Sequence, residues 1–301
     1  MEIEGKQEAL RIPECGIRRS GEMVLAQLAL DEVMLYYEES GLGDPFVFQA
    51  HEHRGWLFEI AYFSAFFRVV TFDRRGTGRS SNPPGRWTMK SFSNDMKQLL
   101  DKLGIEKTII AGHSLGGKIG QLFTLEHPER VSALVLSGST YYVNDLLNQW
   151  YDEGIRFVEK GGSISEFLAR QSRFPFEKEA PPTTNPEFSS SSIGRFLANL
   201  PKGGVGEGDA GLKMLRAGKE WDFRPYVPEY RKMKCPVLIM VGSQESQAVI
   251  EASFELSRLI PKSEFRIVHG AYHGLPRENP EKYCHIVRDF LERHGFWPQA
   301  A

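Results

Sequence analysis

The chain of 301 residues has no long hydrophobic run, no paired cysteines and no excess of charge of either sign. Its longest apolar stretches, such as Val237 to Val241, fall far short of the roughly 20 residues a membrane helix needs, so no membrane partner is expected. With 37 basic against 39 acidic residues the formal charge is -2, and no global field recruits nucleic acid. The opening MEIEGKQEALRIPECG lacks the basic and apolar regions of a secretory signal, so export is not expected. Cys15, Cys235 and Cys284 are odd in number, widely spaced and outside any C-x-x-C pair. That fits packing roles in a reducing, cytoplasmic compartment better than a disulfide framework. No H-E-x-x-H or C-x-x-C cluster implies a metal, and GTGRS (76–80) follows a strand but opens no helix, so neither a dinucleotide site nor any cofactor is expected. A local pocket must therefore choose the partner, a small-molecule substrate on a monomer or homodimer.

What is present is a rhythm. β-rich runs recur at Met23 to Leu28, Val33 to Tyr37, Pro45 to Gln49, Phe67 to Phe72, Lys107 to Ala111, Ser132 to Ser137, Pro236 to Val241 and Glu264 to Val268. Several are continuously apolar, the pattern of strands buried on both faces. Helical periodicity fills the gaps after residue 67, as in Met89 to Leu103, where Phe92, Met96, Leu99, Leu100 and Leu103 are mostly three or four apart. The alternation predicts a largely parallel sheet wrapped by helices, with the first two strands as an antiparallel edge. Between about 140 and 230 no strand is evident. Helical stretches (144–159, 164–173, 192–200, 209–217) surround the polar KEAPPTTNPEFSSSS, and strands resume at Cys235-Pro-Val-Leu-Ile-Met-Val. This predicts a core of residues 1–140 and 229–301 carrying a helical cap, 141–228, inserted between two strands of one sheet.

AGHSLGG (111–117) sets Ser114 among three glycines between a buried strand and an apolar helix. A turn that tight strains the serine backbone, and Gly112, Gly116 and Gly117 avoid clashes with strand and helix, lifting the hydroxyl above the sheet. The amide of Leu115 then lies at a helix N-terminus, where partial positive charge stabilises an oxyanion. G-x-S-x-G alone arises by chance in roughly one chain in ten of this size at average usage, so its placement carries the argument.

On these residues the chain resembles the α/β-hydrolase superfamily, in its branch with a serine nucleophile elbow and a helical lid. VTFDRRGTGRS (70–80) is similar to that family's loop after the fourth strand, and HPERVSALVLSGS (127–139) to its helix-to-strand passage. The resemblance implies an eight-stranded, mostly parallel sheet flanked by helices with an inserted cap.

A serine hydroxyl needs a base. His273, in HGAYHGLPRENPEKY, follows the last strand with glycines close by and resembles the family's histidine; His269 at the strand end competes. The acid should lie between Ser114 and His273 in chain order. In VGSQESQAV, Glu245 stands where the family most often has aspartate, with Asp145 in reserve, while Glu278 is too near a helix cap. QAHEHRGW (49–56) matches the oxyanion loop, with His51 and His53 flanking Glu52 in place of glycine and the His53 amide as second donor. A Glu52 carboxylate within about 6 Å of an oxyanion would repel it by about 3 kcal/mol at an effective dielectric of about 20. Glu52 is therefore expected to turn away or to pair with Arg54 or Arg75.

The reading is hydrolysis of an ester, lactone or related carbonyl bond of a small to medium apolar compound through an acyl-enzyme. Trp150, Trp221 and His113 join His51 and Glu52 as pocket candidates. The departures at Glu52 and Glu245 leave a ligand receptor with little turnover as an alternative. Carbon–carbon hydrolysis and cofactor-free oxygen chemistry are further uses of the same pocket.

Overall fold

Continuous Val, Ile, Leu and Phe runs form the sheet. The computed structural model describes residues 24–49, 53–164, 166–167 and 209–298. Its strands are β1 (Val24–Ala29), β2 (Met34–Ser40), β3 (Pro45–Gln49), β4 (Arg68–Phe72), β5 (Thr108–His113), β6 (Val131–Ser137), β7 (Val237–Gly242) and β8 (Ser263–Val268). They form one eight-stranded sheet in the order β1-β2-β4-β3-β5-β6-β7-β8. β2 runs antiparallel to both β1 and β4, and every other pairing is parallel, for example Phe48 opposite Ala111 and Leu136 opposite Ile239. The expected antiparallel edge is present.

Alternation along the strands divides the core between two faces. Ile110, Leu134, Leu136 and Ile239 pack with α2 (Met89–Lys102) and α3 (Leu115–Glu126). Ile109, Val135, Leu238 and Met240 face the opposite layer, where Phe63 of α1 (Leu57–Phe63) and Val287 and Phe290 near the C-terminus are buried. Cys235 and Cys284 are free and buried, as expected for packing; Cys15 lies outside the described residues. No described helix is long and apolar enough to cross a membrane.

The loop after β4 is tied to α2 by charge. Arg75 donates Nε and Nη2 to the two Asp95 oxygens, each at 2.7 Å, and Nη1 to Glu32 at 3.0 Å. Arg75, an expected partner for Glu52, is therefore held by Asp95 and Glu32.

Between β6 and β7 the chain leaves the sheet for α4 (Asp145–Glu159) and α5 (Asp209–Lys219), which pack against each other. The two ends of the excursion are clasped. Tyr142 bridges Asp222, Val143 N–H donates to Trp221 O at 3.2 Å, and Phe223 N–H donates to Tyr141 O at 2.9 Å. The helix expected at 192–200, most of that at 164–173 and the polar loop lie outside the described residues.

Candidate active site

The C-terminal ends of the parallel strands meet where ligands of open α/β sheets bind. At the end of β5, Ser114 has φ 52° and ψ -118° and is the one non-glycine residue at positive φ among those described. Such a conformation costs of order 1–3 kcal/mol and persists only where its surroundings hold it. Ser114 N–H is fixed to Ser137 O at 2.9 Å, and Lys118 N–H closes the first turn of α3 on Ser114 O at 3.2 Å. A Cβ on Gly112 would lie 2.6 Å from Gly117 Cα, and one on Gly117 would lie 2.7 Å from Ser139 Cβ. The glycine frame expected around Ser114 thus has a steric cause at both positions.

The loops after β7 and β8 are laced together by Ser243 N–H to Val268 O and Gln244 N–H to Ala271 O, each 3.0 Å. They bring Glu245 and His273 beside the serine. His273 Nε2 lies 3.0 Å from Ser114 Oγ, and its Nδ1 lies 3.1 Å from Glu245 Oε2. Glu245 is fully buried and His273 nearly so. The other candidates stand apart: Asp145 is exposed in the first turn of α4, and His269 is exposed with its carbonyl accepting from Lys282.

Leu115 opens α3, so its amide is one of those with no carbonyl partner within the helix. His53 begins a 3-10 turn, His53–Trp56, just beyond β3. His51 and Glu52 lie outside the described residues, as do the side chains of His53 and Arg54.

Ser114, Leu115 and His273 open into a cleft of about 670 Å³, counting its mouth, with Trp150, Ile164 and Leu215 on its far wall. Trp150 therefore lines the space as expected, whereas two other pocket candidates do not. Trp221 is 2% exposed and packed against Phe223 at the base of the excursion, because the clasp draws it inward. His113 turns away, its Nδ1 lying 3.1 Å from Ser137 O and its ring 5.1 Å from that of His273. Burial, then the neighbouring His273 and Arg277, hold the His113 pKa well below the ordinary value, so the ring is neutral near pH 7.

Two further residues take places at the site that the sequence did not reveal. Glu278 supplies no acid to the imidazole; its carboxylate accepts from Tyr272 N–H at 2.6 Å and Gly274 N–H at 3.1 Å, the amides on either side of His273. Lys118, one helical turn beyond Ser114, lines the cleft at 4% exposure. Desolvation alone lowers its pKa to about 7. The signal for Lys118 was a lone charge in GGKIGQLF, a segment otherwise buried throughout.

Comparisons with known proteins agree with this fold. The sequence pattern of the alpha/beta hydrolase fold matches residues 50–280. The chain is 24% identical over 237 residues to a putative carbamate hydrolase RutD of Caulobacter sp. (strain K31), covering 78% of this chain and 85% of that protein. It is 27% identical over 240 residues to 3-oxoadipate enol-lactonase 2 of Acinetobacter baylyi, covering 79% and 84%. The crystal structure of the enol-lactonase from Burkholderia xenovorans LB400 superposes with a TM-score of 0.74 at 21% identity, over 89% of this chain and 100% of that one. With its elbow, its sheet order and these relatives, the chain belongs to the alpha/beta hydrolase fold family.

Proposed function

We propose that the protein is a serine hydrolase that cleaves an ester, lactone or carbamate-like bond of a small to medium substrate through an acyl-enzyme. The observation that carries this reading is the line of contacts from Ser114 Oγ through His273 to Glu245, at 3.0 and 3.1 Å. With Nδ1–H donated to Glu245, Nε2 is left as the acceptor for the serine proton. As Oγ attacks the carbonyl carbon, that proton moves to Nε2, and the imidazolium is stabilised by the Glu245 carboxylate. The amides of Leu115 and His53 receive the oxyanion. Nε2 then returns its proton to the leaving group, and water repeats the sequence to free the acid and Ser114.

The excursion between β6 and β7, through its described helices α4 and α5, acts as a cap over this chemistry. Leu147, Trp150, Ile164 and Leu215 from that stretch give the cleft its apolar wall, which supports an apolar contribution to binding. The buried free thiols of Cys235 and Cys284 support a reducing, cytoplasmic setting.

Intact mass after treatment with a fluorophosphonate tests the reading. One adduct is expected, mapped to Ser114, absent from Ser114→Ala and strongly reduced in His273→Ala. No adduct, together with no serine-dependent turnover over a broad panel of p-nitrophenyl esters, would replace hydrolysis by ligand binding without chemistry.

A further inference from the structure

Lys118 is a second functional group in the cleft, and its surroundings describe what it meets. Its side chain is buried on the wall beside Ser114, and the contact it makes is with the Tyr151 ring, 5.7 Å from the centroid. A cation over an aromatic face recovers only part of what burial costs an ammonium. No carboxylate among the described residues forms an ion pair with Lys118. The same wall carries more positive charge behind it. Arg74, 1% exposed, donates Nη2 to the sulfur of Met214 at 3.5 Å, and Met214 lines the cleft. The charged and titratable groups facing this part of the cleft are thus Lys118 on α3, Tyr151 on α4, Arg74 after β4 and His273 opposite.

We propose that Lys118 binds a carboxylate carried by the substrate, so that the hydrolysed compound is an acid-bearing ester or lactone, held by its anionic end against Lys118 and its carbonyl against Ser114. This rests on the hydrolase reading above. An apolar cleft with one compact cation on its wall suits a monoanion on a short alkyl chain; the chain fills the apolar lining and the carboxylate supplies the charge Lys118 lacks. The helix geometry supports the placement. Lys118 N–H bonds back to Ser114 O across the first turn of α3, and both residues line the same cleft.

Mono-p-nitrophenyl glutarate and p-nitrophenyl pentanoate differ only in a terminal carboxylate against a methyl. Wild type is expected to favour the glutarate ester in kcat/KM by about 10-fold or more, and Lys118→Met to lower that preference by at least about 10-fold, chiefly through KM. Lys118→Arg, which keeps the charge, should retain part of it. A wild-type preference for the pentanoate ester, or equal losses on both esters in Lys118→Met, would overturn the proposal. Binding to Ser114→Ala supplies a readout free of turnover. Monomethyl glutarate should raise its Tm and dimethyl glutarate should not, with the difference lost when Lys118→Met is added. Fluorophosphonate labelling in parallel separates the two readings. Labelling of Ser114 without a carboxylate preference refutes this inference alone, whereas carboxylate binding without labelling refutes the hydrolase and leaves the anion site standing.

Discussion

The two walls of the cleft follow opposite rules. On the strand-end wall each proposed catalytic side chain has a partner: Ser114 meets His273, His273 meets Glu245, and Glu278 grips the amides flanking the imidazole. Beside them Lys118 of α3 lies against the helical wall, among apolar and aromatic groups, with no ion pair among the described residues. Partnered groups are held in one geometry, which would serve a reaction whose rate depends on fractions of an ångström. An unneutralised cation is a standing cost that a suitable ligand relieves, which serves selection. Changes on the first wall should therefore act on kcat, and changes on the second on KM and stability.

The largest expected effect breaks the first wall outright. Ser114→Ala should lower kcat/KM by about 10⁴-fold or more, read from initial rates on the preferred ester. Next comes Glu245→Gln, which keeps the shape but removes the charge that steadies the imidazolium. A fall of about 10³- to 10⁴-fold in kcat with little change in KM is expected, and a fall confined to KM would contradict the division of labour.

A third change turns a neutralised cation into a counterpart of Lys118. Arg75 is as buried as Lys118 but is gripped by both oxygens of Asp95. Asp95→Ala should cost about 3–5 kcal/mol in urea unfolding, because the guanidinium stays buried with its main partner gone.

The converse experiment is Lys118→Met, which should raise stability. The folded pKa of Lys118, about 7, lies below the ordinary 10.5. Between those values the unfolded chain binds the extra proton, so the burden of this lysine is full below pH 7 and lifts as pH rises. The gain in Tm from Lys118→Met should accordingly be larger at pH 6 than at pH 9.

Glu59 offers the opposite sign. Buried on α1, it has its pKa pushed up to about 8, first by desolvation, against weaker opposition from a backbone hydrogen bond and Arg277. Its stability is fully present below pH 4.5 and is lost as pH rises toward 8. Glu59→Gln should raise Tm at pH 8.5 and hardly at pH 5. If both substitutions showed the same pH trend, desolvation would be the wrong account of either.

Much of the fold was legible because both-face burial writes itself as unbroken apolar strands, and each of the eight runs became a strand with ends displaced by a few residues. Ser114, Glu245 and His273 were legible for another reason: they sit at strand ends, in chain order, with glycines marking where the backbone must bend or approach closely. Lys118 was not. Its neighbours Ile119, Leu122 and Phe123 form an apolar pattern that says nothing of where a lysine among them lies; Tyr151, far along the chain, packs over it, and Met214 lines the same cleft. Trp150 and Trp221 looked alike as aromatic residues of the insertion; only the clasp decided which ring faces the cleft. Glu278 was weighed as an acid and set aside. Its hold on two amides depends on the loop doubling back, which spacing does not reveal.

The clasp at Tyr142 and Asp222 reaches beyond this one chain. Because departure and return points are fastened side by side, the sheet does not register how many residues travel between them, and doubling such a loop costs only about 0.6 kcal/mol in closure entropy. A graft exchanging everything between the two fastened points is thus expected to change what the cleft admits while leaving Ser114 and its contacts undisturbed.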